Sequence, residues 1–256
     1  MMEPSRGYDR NRVMQSQKDS FSLQPIGHIR SVFDHKFGTP RQGSLAPSSH
    51  AEFELAPEWH GKGMFMGLEG FSHVWLLSYF HQNKHKRMAG KIHPPRLIGE
   101  TVGVFASRSP HRPNSLGLTL AKLEKVDGDR LVLSGVDLVD RTPIFDIKPY
   151  LAEADRPENF SSGWTENVPP AEIRCTFEAD ALTDLDSLQS RGQLSDREKF
   201  MTLIEEVLKL DPRPLAYRQR INERFAIVLS GLDVHARFHE GLFTVISVRP
   251  FSQDAT

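Results

Sequence analysis

The densest concentration of reactive side chains lies at residues 137–150, DLVDRTPIFDIKPY. Three carboxylates, Asp137, Asp140 and Asp146, share this stretch with Lys148 and the phenol of Tyr150. Two short β-like runs flank an Arg-Thr-Pro turn. Strand alternation in the second run sets Asp146, Lys148 and Tyr150 on one face and Phe145 and Ile147 on the other. A carboxylate two residues from an ammonium is either a structural ion pair on a solvated face or a proton acceptor in a site. The stretch alone leaves both open.

Two further clusters carry chemistry. Residues 105–117, FASRSPHRPNSLG, form a loop stiffened by two prolines, in which Arg108, Arg112, His111 and serines can hold a carboxylate or phosphate through forked, charge-assisted hydrogen bonds. The same composition also suits a rigid surface turn. Residues 39–45, TPRQGSL, place Pro before Gly, which lets a ligand approach backbone amides closely; an ordinary connection has the same signature. His73, His81, His85 and His93 raise the question of a metal, but they lack ligand spacing and a nearby cysteine, so no metal is expected. Neither a Gly-x-Gly-x-x-Gly turn nor a P-loop is present, which argues against Rossmann-type nucleotide binding.

The elements that must position these clusters read mainly as β. Strands are expected at 26–31, 52–55, 71–80, 101–107, 118–126, 130–136, 144–150 and 172–177, with a hairpin turn at Asp127-Gly128-Asp129. The run FSHVWLLSYF at 71–80 has the character of a strand buried on both sides, with Trp75 in the core. One short helix is expected over 57–66. Many short strands with little helix between them indicate a closed or nearly closed β-barrel. After a polar, proline-bearing connection at 152–170, the pattern turns helical. Leu182, Leu185 and Leu188 share a face, Ser195 and Glu198 make a capping box, and Phe200, Leu203, Ile204, Val207 and Leu208 form an apolar stripe. Strands at 225–229, 234–238 and 242–248 follow. The expected organisation is a disordered tail at 1–22, a β-barrel at 23–178 and a small α+β unit at 179–256.

The 256 residues are 38% hydrophobic and 25% charged, as in a globular protein with a real core. Cys175 is the single cysteine, expected as a small buried hydrophobe, and its solitude favours a reducing, cytoplasmic setting. No apolar run approaches the roughly 20 residues of a membrane span. The net charge of -1 hides an asymmetry. Between residues 70 and 123 the single acid, Glu100, faces eight cations, among them Lys84, Lys86, Arg87, Lys91, Arg96, Arg108 and Arg112. So uneven a distribution points to a polyanion bound on one surface.

Taken together and in order, these pieces resemble the TsaA-like family, the TrmO-type tRNA threonylcarbamoyladenosine N6-methyltransferases. The matching segments are IGHIRS at 26–31, PRQ at 40–42, GLEGFSHVW at 67–75, FHQ at 80–82, PPRL at 94–97, GVFASRS at 103–109, RPN at 112–114, DLVD at 137–140 and DIKPY at 146–150. DPRP at 211–214 extends the likeness into the C-terminal unit. The resemblance implies a non-Rossmann β-barrel that binds S-adenosylmethionine, and a homodimer. Carried over by motif, the cofactor contacts are Gly43, Ser44, Leu45, His81, Gln82, Arg108, Leu118, Val139, Asp140, Arg141 and Thr142. Two departures stand out: Arg141 replaces the glycine of a usual Asp-Gly-Thr-Pro, and Asn114-Ser115-Leu116-Gly117 replaces a usual Asn-Pro-Ile-Gly.

The implied acceptor is N6 of threonylcarbamoyladenosine at position 37, beside the anticodon. Its lone pair is conjugated with the purine and with the carbamoyl carbonyl, so transfer calls for tight positioning and removal of the N–H proton. Asp146, Lys148 and Tyr150 are the catalytic candidates: Asp146 as base, Lys148 holding it ionised or binding the threonyl carboxylate, and Tyr150 orienting the base. Asp137 or Asp140 could instead face the sulfonium. Lys84, Lys86, Arg87, Lys91, Arg96 and Arg112 would track phosphates of a single-stranded anticodon loop. The competing readings are a non-catalytic RNA-binding barrel and an enzyme of the same fold acting on another nucleobase or a small molecule.

Overall fold

The computed structural model describes residues 21–83, 90–97, 99–168, 172–214, 218 and 224–252. Most of the expected tail, and Lys84, His85, Lys86 and Arg87, lie outside the described residues. The first unit comprises β1 (Gly27–Ser31), β2 (His50–Leu55), β3 (His73–Tyr79), the two-residue strands β4 (Lys91–Ile92) and β5 (Val102–Gly103), β6 (Leu116–Asp127), β7 (Arg130–Ser134) and β8 (Pro143–Pro149). Six of these close into an antiparallel barrel in the order β1-β2-β7-β6-β3-β8, while β4 and β5 pair only with each other.

Alternation explains the closure. Ile29 and Phe53 are fully buried from β1 and β2, Val74 and Leu76 from β3, Leu131 and Leu133 from β7, and Ile144 from β8. Each such side chain contributes roughly 1.5–3 kcal/mol by leaving water. The β6–β7 hairpin turns on Gly128 and Asp129, with Gly128 at φ 61, as the Asp-Gly signal predicts. The barrel closes through the short β1–β8 register, Gly27 opposite Ile144 and His28 opposite Pro143, prolonged by Ile29 N–H donating to the Thr142 carbonyl at 3.0 Å.

Several local expectations are corrected. Strand β3 is not buried on both sides. Val74, Leu76 and Ser78 point inward, whereas Trp75 is half-buried on the outer wall, where its Nε1–H donates to Asp155 at 3.1 Å. An indole needs a partner for that N–H, and the wall offers one. The stretch 57–66 forms a single 3₁₀ turn, Pro57–Trp59, and loops, because Gly61 and Gly63 sit at positive φ. Of 101–107 only Val102–Gly103 is extended, followed by a 3₁₀ turn. A bulge in the β3–β8 register leaves Phe145 unpaired, so Phe145 stands beside exposed Tyr79, ring centroids 6.4 Å apart, and does not share the face of Ile147.

The second unit holds β9 (Arg174–Phe177), α2 (Ala179–Ser190), α3 (Arg197–Lys209), β10 (Arg224–Leu229), β11 (Leu232–His239) and β12 (Leu242–Pro250), after a one-turn helix α1 (Ala152–Asp155) in the connection. Strand β9, read above with the barrel, runs parallel to β12 at the edge of the sheet β10-β11-β12-β9. Helix α3 buries the expected stripe from Phe200 to Leu208. Its cap is Asp196, one residue later than the capping box predicts, with Lys199 N–H donating to Oδ1 at 3.0 Å. Cys175 packs against the core, and burial pushes its thiol pKa up to about 12. The units are stitched together by Ser48, which donates through N–H and Oγ to Glu206, and by Gly231 N–H donating to Asp34 at 2.9 Å.

Candidate active site

The loop entering β8 and the chain leaving β3 meet at one end of the barrel. Asp140 is pinned there: its Oδ1 accepts the Ser31 N–H at 3.0 Å and its own N–H donates to the Phe33 carbonyl at 2.8 Å. Buried Thr142 donates its hydroxyl to the Val139 carbonyl at 2.6 Å and lies 3.4 Å from Nδ1 of His81. With its proton committed to Val139, Thr142 can only accept from His81, which places the imidazole proton on Nδ1 and leaves Nε2 as an acceptor. Burial lowers the His81 pKa below its ordinary value, neighbouring His28 lowers it further, and Asp140 opposes both, so the surroundings favour the neutral ring. A cleft of about 330 Å³ opens here, lined by His81, Gln82, Asp140 and Arg141 together with Asp34, His35 and Phe251.

Arg141, the residue in place of glycine, keeps the left-handed conformation that a glycine would take, at φ 61, with an outward side chain whose Nε lies 3.7 Å from Asp140. The fold imposes the turn and the arginine bears its cost, of order 1–2 kcal/mol. Ser115 likewise has φ 44, a value closed to the proline it replaces.

A second group centres on Asp137. Its carboxylate accepts from Thr119 Oγ1 and from the Gly43 N–H, and burial raises its pKa to about 6 against the pull of those hydrogen bonds and of Arg108. Arg108 in turn donates to the side chain of Gln42, so the 42–45 turn is held from both sides. Gly43 is packed so closely that an added Cβ would meet the Gly135 carbonyl oxygen at 1.9 Å. Ser44 and Leu45 are left exposed at the tip.

The third group stands on the outer wall of the barrel. Leu118 of β6 lies opposite Leu77 of β3, which lies opposite Asp146 of β8; Leu120, Trp75 and Lys148 form the next row. Lys148 Nζ pairs with Asp146 Oδ2 at 2.8 Å, and Tyr150 packs near His73 and Trp75, with ring centroids 6.3 and 6.4 Å away. Leu118 and Tyr79 are 57% and 39% exposed, so the wall is apolar and open.

Of the cations proposed for phosphates, Lys91 is exposed. Arg112 donates to the Ser107 and Ser109 carbonyls at 3.3 and 3.4 Å, and Arg96 to that of Val168, so both also brace loops. Sequence reasoning left out Asp34, His35, Thr119 and Phe251, and had Gln42 only within the 39–45 loop. The first two directly follow a matched strand, which was the available signal; Phe251 arrives from the far end of the chain with no local mark. Among the described residues no group of three or more His, Cys, Asp or Glu is placed to hold a metal, and no helix is long and apolar enough to cross a membrane.

Comparison with known proteins agrees with this geometry over nearly the whole chain. Residues 28–156 match the tRNA-methyltransferase O N-terminal domain and residues 170–251 the TrmO C-terminal domain. The tRNA (adenine(37)-N6)-methyltransferase of Escherichia coli K12 is 37% identical over 90% of this chain and 99% of its own length. A mouse protein of the same name is 46% identical over 68% of this chain, which spans 41% of that longer protein. The crystal structure of TrmO from Pseudomonas aeruginosa superposes with a TM-score of 0.75, at 35% identity, covering 91% of this chain and 99% of that one. The chain belongs to the tRNA-methyltransferase O family.

Proposed function

We propose that this protein is an S-adenosylmethionine-dependent tRNA methyltransferase acting on N6 of the adenosine at position 37, with the threonylcarbamoylated base as substrate. The observation that carries the reading is the likeness to the E. coli tRNA (adenine(37)-N6)-methyltransferase over 99% of that protein's length. A P. aeruginosa relative, 41% identical over 91% of its length, is named a putative S-adenosylmethionine-dependent methyltransferase.

The residues present suit that cofactor. Exposed Leu45 and Leu118 offer apolar surface to an adenine ring, Asp140 offers a carboxylate to a sulfonium, and Arg108 offers a guanidinium to an amino-acid carboxylate. Gly43, Ser44, Leu45, His81, Gln82, Arg108, Leu118 and residues 139–142 would hold it. When bound, it supplies a methyl group on a positively charged sulfur, and displacement leaves a neutral thioether.

The chain's own residues handle the acceptor. Asp146 takes the N6 proton as the new N–C bond forms, with Lys148 keeping a positive charge beside the carboxylate. Tyr150, seated against Trp75 and His73, orients the base. In this arrangement Asp146 and Lys148 remain 45% and 72% exposed, whereas proton transfer of this kind works best with water excluded. A second copy of the chain over the apolar wall of Leu118, Leu77 and Tyr79 would supply the cover, which supports a homodimer. Lys91, Arg96 and Arg112, with Lys84, Lys86 and Arg87, would follow the anticodon-loop backbone in the cytoplasm.

Mass analysis of nucleosides from tRNA of a deletion strain tests the reading. We expect the N6-methylated threonylcarbamoyladenosine to vanish; its persistence at normal level would overturn the function. Calorimetric titration with S-adenosylmethionine separates an enzyme from a non-catalytic RNA-binding barrel, which would not take up the cofactor.

A further inference from the structure

The barrel and the C-terminal unit enclose a second cleft, of about 250 Å³, between the 36–41 loop and the segment after α3. Its charge is lopsided. Lys36, Arg41, Arg213 and Arg218 line it, against a single acid, Asp211. That acid is fully engaged: Arg213 grips both of its oxygens at 2.7 and 3.1 Å, and Arg218 Nε stands 3.3 Å from Oδ2. Arg213 is itself buried and stacked on Phe238, its guanidinium 3.7 Å from the ring centroid, so it belongs to the scaffold. Among the described residues, Lys36 and Arg41 have no carboxylate partner. Arg41 is also depressed in basicity, first by burial and then by the nearby Arg218, with Arg96 adding to the repulsion and only Asp211 opposing it. Like charges gathered in one cleft repel one another, and a bound anion relieves them.

We propose that this interdomain cleft is a phosphate site, with Lys36 and Arg41 as its ligands and Arg218, held by Asp211 and by the Arg213 and Asp211 carbonyls, as a fixed positive charge behind them, and that its natural occupant is a backbone phosphate of the substrate RNA. The volume is below the range of about 300–1,000 Å³ typical for pockets enclosing a drug-sized ligand, which suits a phosphodiester group more than a nucleoside. An arginine and a lysine free of carboxylates supply the forked and point-charge donors that a phosphate oxygen accepts from. Because the ligands come from the barrel loop and the charge behind them from the C-terminal unit, an occupied cleft fixes the two units as one RNA-binding surface. This inference rests on the tRNA reading above and adds a contact that the basic third of the chain does not contain, since Lys36, Arg41 and Arg218 all lie outside residues 70–123.

The test uses the full chain and an anticodon stem-loop. Binding is measured by fluorescence anisotropy across a salt series for wild type, Lys36→Ala, Arg41→Ala and Arg41→Lys. We expect affinity to fall about tenfold for each alanine variant and the slope of log K against log salt to become shallower by about one. Arg41→Lys should restore the slope, which a merely structural loss would not allow. In Lys36→Ala the melting temperature and S-adenosylmethionine affinity should stay at wild-type values. Unchanged RNA affinity and slope in the alanine variants would overturn the proposal. A cleft that takes only inorganic phosphate, seen as a melting-temperature rise in wild type but not in Arg41→Ala while RNA binding stays equal, would overturn the RNA assignment. If wild type binds the stem-loop as described but tRNA is never methylated, the enzymatic reading fails and the phosphate site stands.

Discussion

Lys148 Nζ lies 2.8 Å from Asp146 Oδ2 on the outer wall of the barrel, in the rows next to Trp75 and Leu77. A pair so exposed contributes little stability, typically under about 1 kcal/mol. If its role were structural, removing it would change almost nothing. We expect Asp146→Asn to lower turnover by at least about 100-fold, in the range of a lost general base, while cofactor affinity and melting temperature hold. Single-turnover methylation alongside calorimetry decides the point; full activity in the variant rules out Asp146 as base.

Asp137 couples the site to pH. Its pKa is about 6 in the fold, against 3.8 as the ordinary value, because burial outweighs its hydrogen bonds. Between about pH 4 and 6 the folded chain therefore retains a proton that the unfolded chain releases. Stability falls as pH rises through that window, and the full cost is present above it. Asp137→Asn should remove this component, so its stability relative to wild type should improve by on the order of 1–2 kcal/mol between pH 4.5 and 7.5. Urea melts at the two pH values measure the difference, and a difference that does not change with pH contradicts the assignment.

Gly43 tests the turn that Asp137 and Arg108 hold. A Cβ there would collide with the Gly135 carbonyl oxygen at 1.9 Å, and both atoms belong to backbone. Gly43→Ala should cost about 1–3 kcal/mol, as overpacking does, and weaken S-adenosylmethionine binding through displacement of the turn. Denaturant unfolding and calorimetry on one preparation give both numbers. Wild-type behaviour in both would mean that the turn yields freely.

Arg141 tests whether the departure from glycine matters. Its side chain points to solvent and its φ of 61 is set by the turn. Arg141→Gly should keep activity and stability within about 1 kcal/mol of wild type, since relief of left-handed strain and added chain entropy offset each other. Arg141→Val should lose roughly 1–2 kcal/mol, because a branched Cβ fits that region worst. Equal stability of the two variants would show that the turn has relaxed to another conformation.

The alternating pattern determined most of the barrel from sequence alone, because inward and outward positions on a half-buried strand differ by a whole side chain's transfer energy. It set Asp146 and Lys148 on one face, while the Asp-Gly turn marked the β6–β7 hairpin and helical spacing the α3 stripe. It failed where a local signal competes with long-range pairing. Trp75 looks like core by hydrophobicity, yet the register of β3 turns it outward to Asp155. Strand β9 looks like a barrel strand, yet its backbone pairs in parallel with β12, nearly 70 residues further along the chain. Phe145 leaves the face of Ile147 because one bulge shifts the register.

Within the site, the family resemblance marked His81, Gln82, Asp140 and Arg141 but carried no information that Phe251, at the other end of the chain, would share their cleft. The charge imbalance around Asp211 was equally hidden, since Lys36, Arg41 and Arg218 sit apart in sequence and come together only when the C-terminal unit docks on the barrel. Residue types and their alternation depend on each strand's own exposure to water and can be read locally. Which elements meet depends on the summed packing of the whole chain, and that only the tertiary structure decided.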